Sequence, residues 1–232
     1  GDPADPAGPA SRAAAVPDGL PAMRGGLLMR RGERRTMDTA AYYDKLVDDG
    51  NDPFRDPQPL KDYMDKWDGR LFIEAMKLGR TKSVLEIGVG TGRLAARVAP
   101  HCRRLCGIDI SPKTIRRARE NLAGFPNITL ICADFLDYFF EEAFDVVYSS
   151  LTMMHFADKR RFICKAGELL RPNGIFCLSI DKSSSDHIDM GAYKIRIYPD
   201  RPDDTEEYIR MSDMKISSRA ETGFAHIFIC SK

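Results

Sequence analysis

From residue 80 onward the chain alternates short apolar runs with polar stretches of helical period. KSVLEIG (82–88) has the apolar continuity of a strand buried on both faces, and GRLAARVAPH (92–101) that of a helix. RLCGIDI (104–110) predicts a second strand. SPKTIRRARENLAG (111–124) predicts a helix with Ser111 as N-cap and Pro112 at its first position. NITLICA (127–133) and FDVVYSS (144–150) follow as strands, ADKRRFICKAGELLR (157–171) as a helix, and GIFCLSID (174–181) as a fifth strand. Strands alternating with helices imply a parallel sheet, both faces covered by right-handed crossovers. The rhythm then changes: TEEYIRM (205–211) predicts a helix, and MKISSRAET (214–222) with GFAHIFICSK (223–232) an antiparallel hairpin. Ahead of the core, AAYYDKLV (40–47) and LKDYMDKWDGRLFIEAMKLG (60–79) read as one short and one long helix, the latter from near-helical recurrence of Leu60, Tyr63, Met64, Trp67, Leu71, Ile73 and Met76. NDPFRDPQP (51–59) is a proline-punctuated loop between them.

The first 36 residues lack this order. Rich in Pro, Gly, Ala and Arg, they cannot bury enough apolar surface to offset chain entropy, and an irregular leader is expected over 1–36. Residues 37–232 read as one domain, a helical cap (37–79) on an α/β core (80–232), and 232 residues suit a single such domain. A net charge of +1 gives no global field toward nucleic acid or an anionic membrane. The basic helix faces KTIRRAR and DKRRF read as solvated surface. No apolar run approaches the ~20 residues of a membrane span, and no secretory signal is evident, so a cytoplasmic protein is expected. The six cysteines, mostly inside apolar runs and never as CxxC, are expected to be reduced, buried thiols with no metal site.

The chemistry concentrates in VLEIGVGTGRLA (84–95), where Gly88, Gly90 and Gly92 alternate behind an apolar strand. Such a turn lets a ligand approach the backbone beside a helix N-terminus. A dinucleotide fingerprint, GxGxxG, would need its third glycine where Arg93 stands. Glu86, two residues before the first glycine, would repel a pyrophosphate and suits a cationic ligand. Such a carboxylate at the end of an apolar strand is costly without a partner.

This stretch resembles motif I, (D/E)xGxGxG, of the class I S-adenosylmethionine-dependent methyltransferases. The likeness extends to GIDIS, CADF, DVVYSSLTMMHF and ELLRPNGIFCLSI, where Asn173 replaces a glycine of the usual turn, and to the final hairpin, over roughly 40–232. It implies a Rossmann-like, seven-stranded, mostly parallel sheet of order 3-2-1-4-5-7-6. It implies S-adenosylmethionine as cofactor, S-adenosylhomocysteine as product, and contacts from Glu86, Gly88, Gly90, Gly92, Asp109, Ile110, Asp134, Phe135, Ser149 and Ser150. In that family the counterpart of Asp109 binds both ribose hydroxyls, and those of Asp134 and Phe135 meet the adenine. An ionised carboxylate can accept from two adjacent hydroxyls at once.

A sulfonium methyl is already electrophilic, so a general base is needed only for a protonated acceptor. Candidates are His155, Tyr43, Asp181 and His187, the last in a polar connection, DKSSSDHIDMGAYKIRIYP (181–199), with the composition of a substrate lid. Tyr42 and Tyr43 share a helix that could close over the cofactor or simply join the core. The absence of (D/N/S)PP(Y/F) after the fourth strand disfavours amino-methylation of adenine, cytosine or glutamine. With no added recognition domain, the expected partner is a small-molecule methyl acceptor, and the expected state a monomer or homodimer. A catalytically silent binding or scaffold protein is the alternative; a nicotinamide-dependent oxidoreductase fits the glycine spacing poorly.

Overall fold

The computed structural model describes residues 35–190 and 193–232. The expectation for the leader therefore falls, over 1–34, outside the described residues. Arg35 and Thr36, grouped with the leader above, already belong to a strand, β1 (Arg35–Met37).

Seven strands form the main sheet: β2 (Ser83–Ile87), β3 (Arg104–Asp109), β4 (Ile128–Cys132), β5 (Phe144–Ser150), β6 (Leu170–Asp181), β9 (Lys215–Glu221) and β10 (Ala225–Ser231). Their spatial order is β4-β3-β2-β5-β6-β10-β9, with β10 antiparallel to both neighbours and the other pairs parallel. Counted along the chain this is 3-2-1-4-5-7-6, the expected order.

Side-chain alternation along the strands builds two cores. Leu85 and Ile87 of β2, Val147 of β5 and Phe176, Leu178 and Ile180 of β6 pack with Phe162 and Ile163 of α6 (Lys159–Glu168) on one face. Val84, Val146, Tyr148 and Cys177 point to the other, against Phe72 of α3 (Gly69–Ala75), Val98 of α4 (Ala95–Val98) and Ile115 of α5 (Pro112–Asn121). Ser111 caps α5 as expected, its hydroxyl accepting from the Thr114 amide at 3.0 Å. Asn173, where the family turn carries glycine, sits at φ +62, a left-handed conformation that asparagine tolerates.

Three expectations about helices and loops also change. The helix read over 92–101 shortens to α4 and a 3-10 turn at Ala99–His101, where Pro100 cannot continue the α-helical hydrogen bonding. The long cap helix is two, α2 (Gln58–Met64) and α3. They break because Gly69 is left-handed, at φ +63, and Asp68 turns its carboxylate inward. Finally, the polar connection after β6 is not a loop. β7 (His187–Met190) and β8 (Tyr193–Arg196) pair antiparallel, and β8 pairs in parallel with β1, making a second sheet of order β1-β8-β7. Beneath it Ile188, Ile195 and Ile197 pack on Met154 and on Tyr42 and Leu46 of α1 (Thr39–Asp48). Tyr42 is thus core. α1 is pinned to α5 by Asp44, which accepts from the Ser111 hydroxyl at 2.6 Å and the Lys113 amide at 2.9 Å.

Cys102, Cys177 and Cys230 are buried and Cys106 and Cys164 half-buried, all without disulfides, but Cys132 is exposed at the end of β4. It lies on the edge strand of the main sheet. No group of three metal-ligating side chains occurs among the described residues, nor any helix long and apolar enough to cross a membrane.

Candidate active site

At the carboxyl ends of β2–β6 lies a cavity of about 510 Å³, roofed by α1, α2 and the second sheet. Glu86, Gly88, Gly90, Asp109, Ile110, Asp134, Phe135 and Ser150 line it, with Tyr43, His155, Asp181 and His187. Gly92 and Ser149 do not. A Cβ on Gly92 would come within 2.8 Å of the Leu122 side chain, so this glycine serves the packing of the turn against α5. Ser149 is fully buried and donates to the Ile87 carbonyl at 3.1 Å, tying β5 to β2.

The first turn is shaped for a ligand. Gly88 (φ +78) has no room for a side chain, since a Cβ would fall 2.1 Å from Thr152 Oγ1. Gly90 (φ +55) faces open cavity, and a Cβ there would project into it. Asp109, at the end of β3, is fixed by the Gly90 amide on one oxygen and the Ser111 amide on the other, both at 3.0 Å. Each oxygen keeps a lone pair for a further donor. Burial raises its pKa, and the two amides oppose that rise.

Glu86 stands opposite Tyr148 in the β2–β5 register, and the Tyr148 hydroxyl donates to its Oε2 at 2.6 Å. Desolvation pushes Glu86 up to about 8, despite Tyr148 and Arg93, while Asp68 and Asp109 add like-charge repulsion. Near neutrality it therefore carries a proton. Arg93 is held by Asp68 through two contacts, 3.1 and 2.5 Å, and Asp68 also accepts from the Ser150 hydroxyl at 2.7 Å. Cap and glycine turn are thereby locked together by residues that periodicity alone assigns to a helix surface. Asp134 accepts from the Leu136 amide at 2.7 Å, and Phe135 is 3% exposed, packed edge-on against Phe162 at 5.2 Å.

After β5, Leu151 adopts φ +54, a strained conformation for a non-glycine residue, and turns the chain into the 3-10 segment Met153–His155. This presents His155 to Tyr43, whose hydroxyl lies 2.8 Å from Nε2. Burial and Lys159 lower the His155 pKa to about 4, and burial raises that of Tyr43. Both are neutral at pH 7. His187 is exposed and paired to Asp186 at 2.7 Å. Asp181 accepts from the Trp67 indole N–H at 2.8 Å and the Ser183 amide at 2.5 Å. Asp200, not singled out from the sequence, lines the same end of the cavity and pairs through Oδ1 with Lys159. Its pKa rises to about 6 through burial, against the pull of Lys159 and with a contribution from Asp181.

The seven-stranded fold, with its cavity at the strand ends, is similar to that of solved methyltransferases. Residues 85–178 match the family model described as a methyltransferase domain. Among curated proteins, the chain is 28% identical over 122 residues to nodulation protein S of Rhizobium tropici, covering 52% of this chain and 50% of that one. It is 34% identical over 103 residues to an uncharacterized methyltransferase of Mycobacterium tuberculosis, covering 44% and 52%. The chain thus spans about half the length of the curated relatives it matches. Among solved structures, the N-methyltransferase NodS of Bradyrhizobium japonicum with S-adenosylhomocysteine superimposes with a TM-score of 0.64 at 18% identity, covering 84% of this chain and 99% of that one. The [4+2]-cyclase SpnF does so with 0.66 at 16%, covering 83% and 95%.

The donor set fits S-adenosylmethionine. Asp109 offers two acceptor oxygens for vicinal hydroxyls, the Gly88–Gly90 turn a bare backbone, and Glu86 a latent negative charge for an ammonium.

Proposed function

We propose that the chain transfers a methyl group from S-adenosylmethionine to a small-molecule acceptor held in the 510 Å³ cavity. The observation that carries this reading is the convergence of Glu86, Gly90 and Asp109 on one wall of that cavity, at the ends of adjacent strands. The cofactor, when bound, supplies the activated methyl. Asp109 would hold the ribose, Asp134 and Ile110 would flank the adenine, and Glu86 would release its proton to meet the ammonium of the methionine half. Gly92 and Ser149 support the turn and the strand rather than the ligand.

His155 and Tyr43 act as a neutral pair. A histidine with a pKa near 4 and a phenol with a raised one are weak bases at pH 7, so the pair orients the acceptor by hydrogen bonding. The rate then comes from in-line placement of the nucleophile.

Calorimetry tests the cofactor half of this reading. S-adenosylhomocysteine should bind, and Asp109→Ala should weaken it about 100-fold, the loss of two hydrogen bonds to a charged acceptor. Undetectable binding by the unmutated chain would sink it. The same fold occurs in a [4+2]-cyclase, so fold alone does not dictate methyl transfer, and the second reading is a catalytically silent binding or scaffold protein. An acceptor screen that reports S-adenosylhomocysteine formation separates the two.

A further inference from the structure

One helix of the cap has no core of its own. Every other α-helix of the described residues buries at least two of its residues, whereas α2 buries none. Yet α2 carries an apolar stripe, Leu60, Tyr63 and Met64, at the i, i+3, i+4 spacing of one helical face. All three line the cavity. The helix is anchored just past its carboxyl end. There Asp65 accepts from Arg97 at 2.6 Å, and the buried Trp67 stacks on Phe224 with ring centres 4.5 Å apart. α2 is thus held from one end with its apolar face on the cavity, and Leu60 is left 37% exposed.

The remaining lining limits what could cover that face. The residues that would hold the cofactor, Glu86, Gly90, Asp109 and Asp134, stand at or just beyond the ends of β2, β3 and β4, and none belongs to α2. Leu46 of α1, with Ile197 and Pro199 just beyond β8, extends the apolar lining. Among the described residues no lysine lines the cavity, and its one arginine, Arg93, is already neutralised by Asp68. A carboxylate or phosphate on the ligand would therefore meet no spare cation, and burying such a charge unpaired is costly. Hydrocarbon carries no such penalty and gains from every methylene that leaves water.

We infer that α2 is the apolar wall of the acceptor site, and that the acceptor has no anionic group and lays a hydrocarbon body over Leu60 and Met64. The inference rests on the methyl-transfer reading only for the word acceptor; the apolar wall stands on its own geometry.

The test is a ligand-observed NMR titration of the full chain with straight-chain 1-alkanols from butanol to octanol, and with octanoate, run with and without saturating S-adenosylhomocysteine. Each added methylene should tighten binding about threefold to fourfold, and octanoate should bind about tenfold or more weakly than octanol. Leu60→Gln and Met64→Gln, which keep a good helix former, should each weaken octanol about tenfold with S-adenosylhomocysteine binding retained. Leu71→Gln, on α3 and outside the cavity lining, should leave octanol binding unchanged. No alcohol binding, affinity flat with chain length, octanoate equal to octanol, alcohols that displace S-adenosylhomocysteine, or a series that survives both α2 substitutions overturns the proposal. If S-adenosylhomocysteine fails to bind, the methyl-transfer reading falls, and the alcohol series on the ligand-free chain and its α2 variants still decides the wall.

Discussion

Glu86→Gln is expected to stabilise the ligand-free protein at neutral pH and leave it nearly unchanged in mild acid. The folded chain holds the Glu86 proton up to about 8, against 4.5 for an ordinary glutamate. Between those values the folded state binds more protons than the unfolded one, so stability falls as pH rises. The contribution of this side chain is therefore intact below pH 4.5 and is lost progressively on the way to pH 8. One pKa unit corresponds to about 1.36 kcal/mol, so the cost accumulated by pH 7 is about 3 kcal/mol. Glutamine keeps an oxygen for the Tyr148 hydroxyl and carries no latent charge, so it removes that cost. For a chain of this size the gain is roughly 6–12 °C in Tm. Urea denaturation of both proteins at pH 4.5 and pH 7.5, without cofactor, measures it. A stability difference of the same size at both pH values, or one favouring wild type at pH 7.5, would refute the desolvation argument. Glutamine should also weaken S-adenosylhomocysteine binding, because the charge it lacks is the one the ligand draws out.

The two turn glycines should separate folding from binding. Gly88→Ala collides with Thr152 and should cost about 3 kcal/mol or more in chemical denaturation, whereas Gly90→Ala should cost about 1–2 kcal/mol and mainly lower cofactor affinity by calorimetry. On the acid side, His155 has a folded pKa near 4 against 6.5 in the unfolded chain, so its contribution is present above pH 6.5 and lost as pH falls toward 4. His155→Gln should flatten that slope in a pH series of melting curves. Trp67→Phe removes the indole donor to Asp181, and should cost about 1–3 kcal/mol in urea denaturation.

The sheet was legible because its signals are local. Five apolar runs, a Ser-Pro cap and two flanking helices with clear 3.6-residue periodicity fix β2 to β6 without reference to distant chain. The second sheet left no such trace. HIDM and YKIR are four residues each, half polar, and their third partner is at residues 35–37. Asp68 defeated the helix pattern for a related reason: the forces that break the helix come from Arg93 and Ser150, far along the chain. The site was legible where a motif has a backbone reason. Gly88 and Gly90 have that reason in the cavity, while Gly92 has it in Leu122. Asp200 went unnoticed in IYPD; an acid directly after an apolar, proline-ended strand exit was the available signal.

The pairing of residue 35 with residue 193 also bears on how the molecule assembles. The β2–α5 half of the core closes through short βαβ loops, but β1 and β8 meet only after nearly the whole intervening chain has been ordered, and loop-closure entropy sets such contacts last. One wall of the cavity should therefore be the final piece to fold and the first to open. Native-state hydrogen exchange should find the amides of β1 and β8 releasing ahead of those in β2, giving ligands a doorway that needs no unfolding of the sheet beneath.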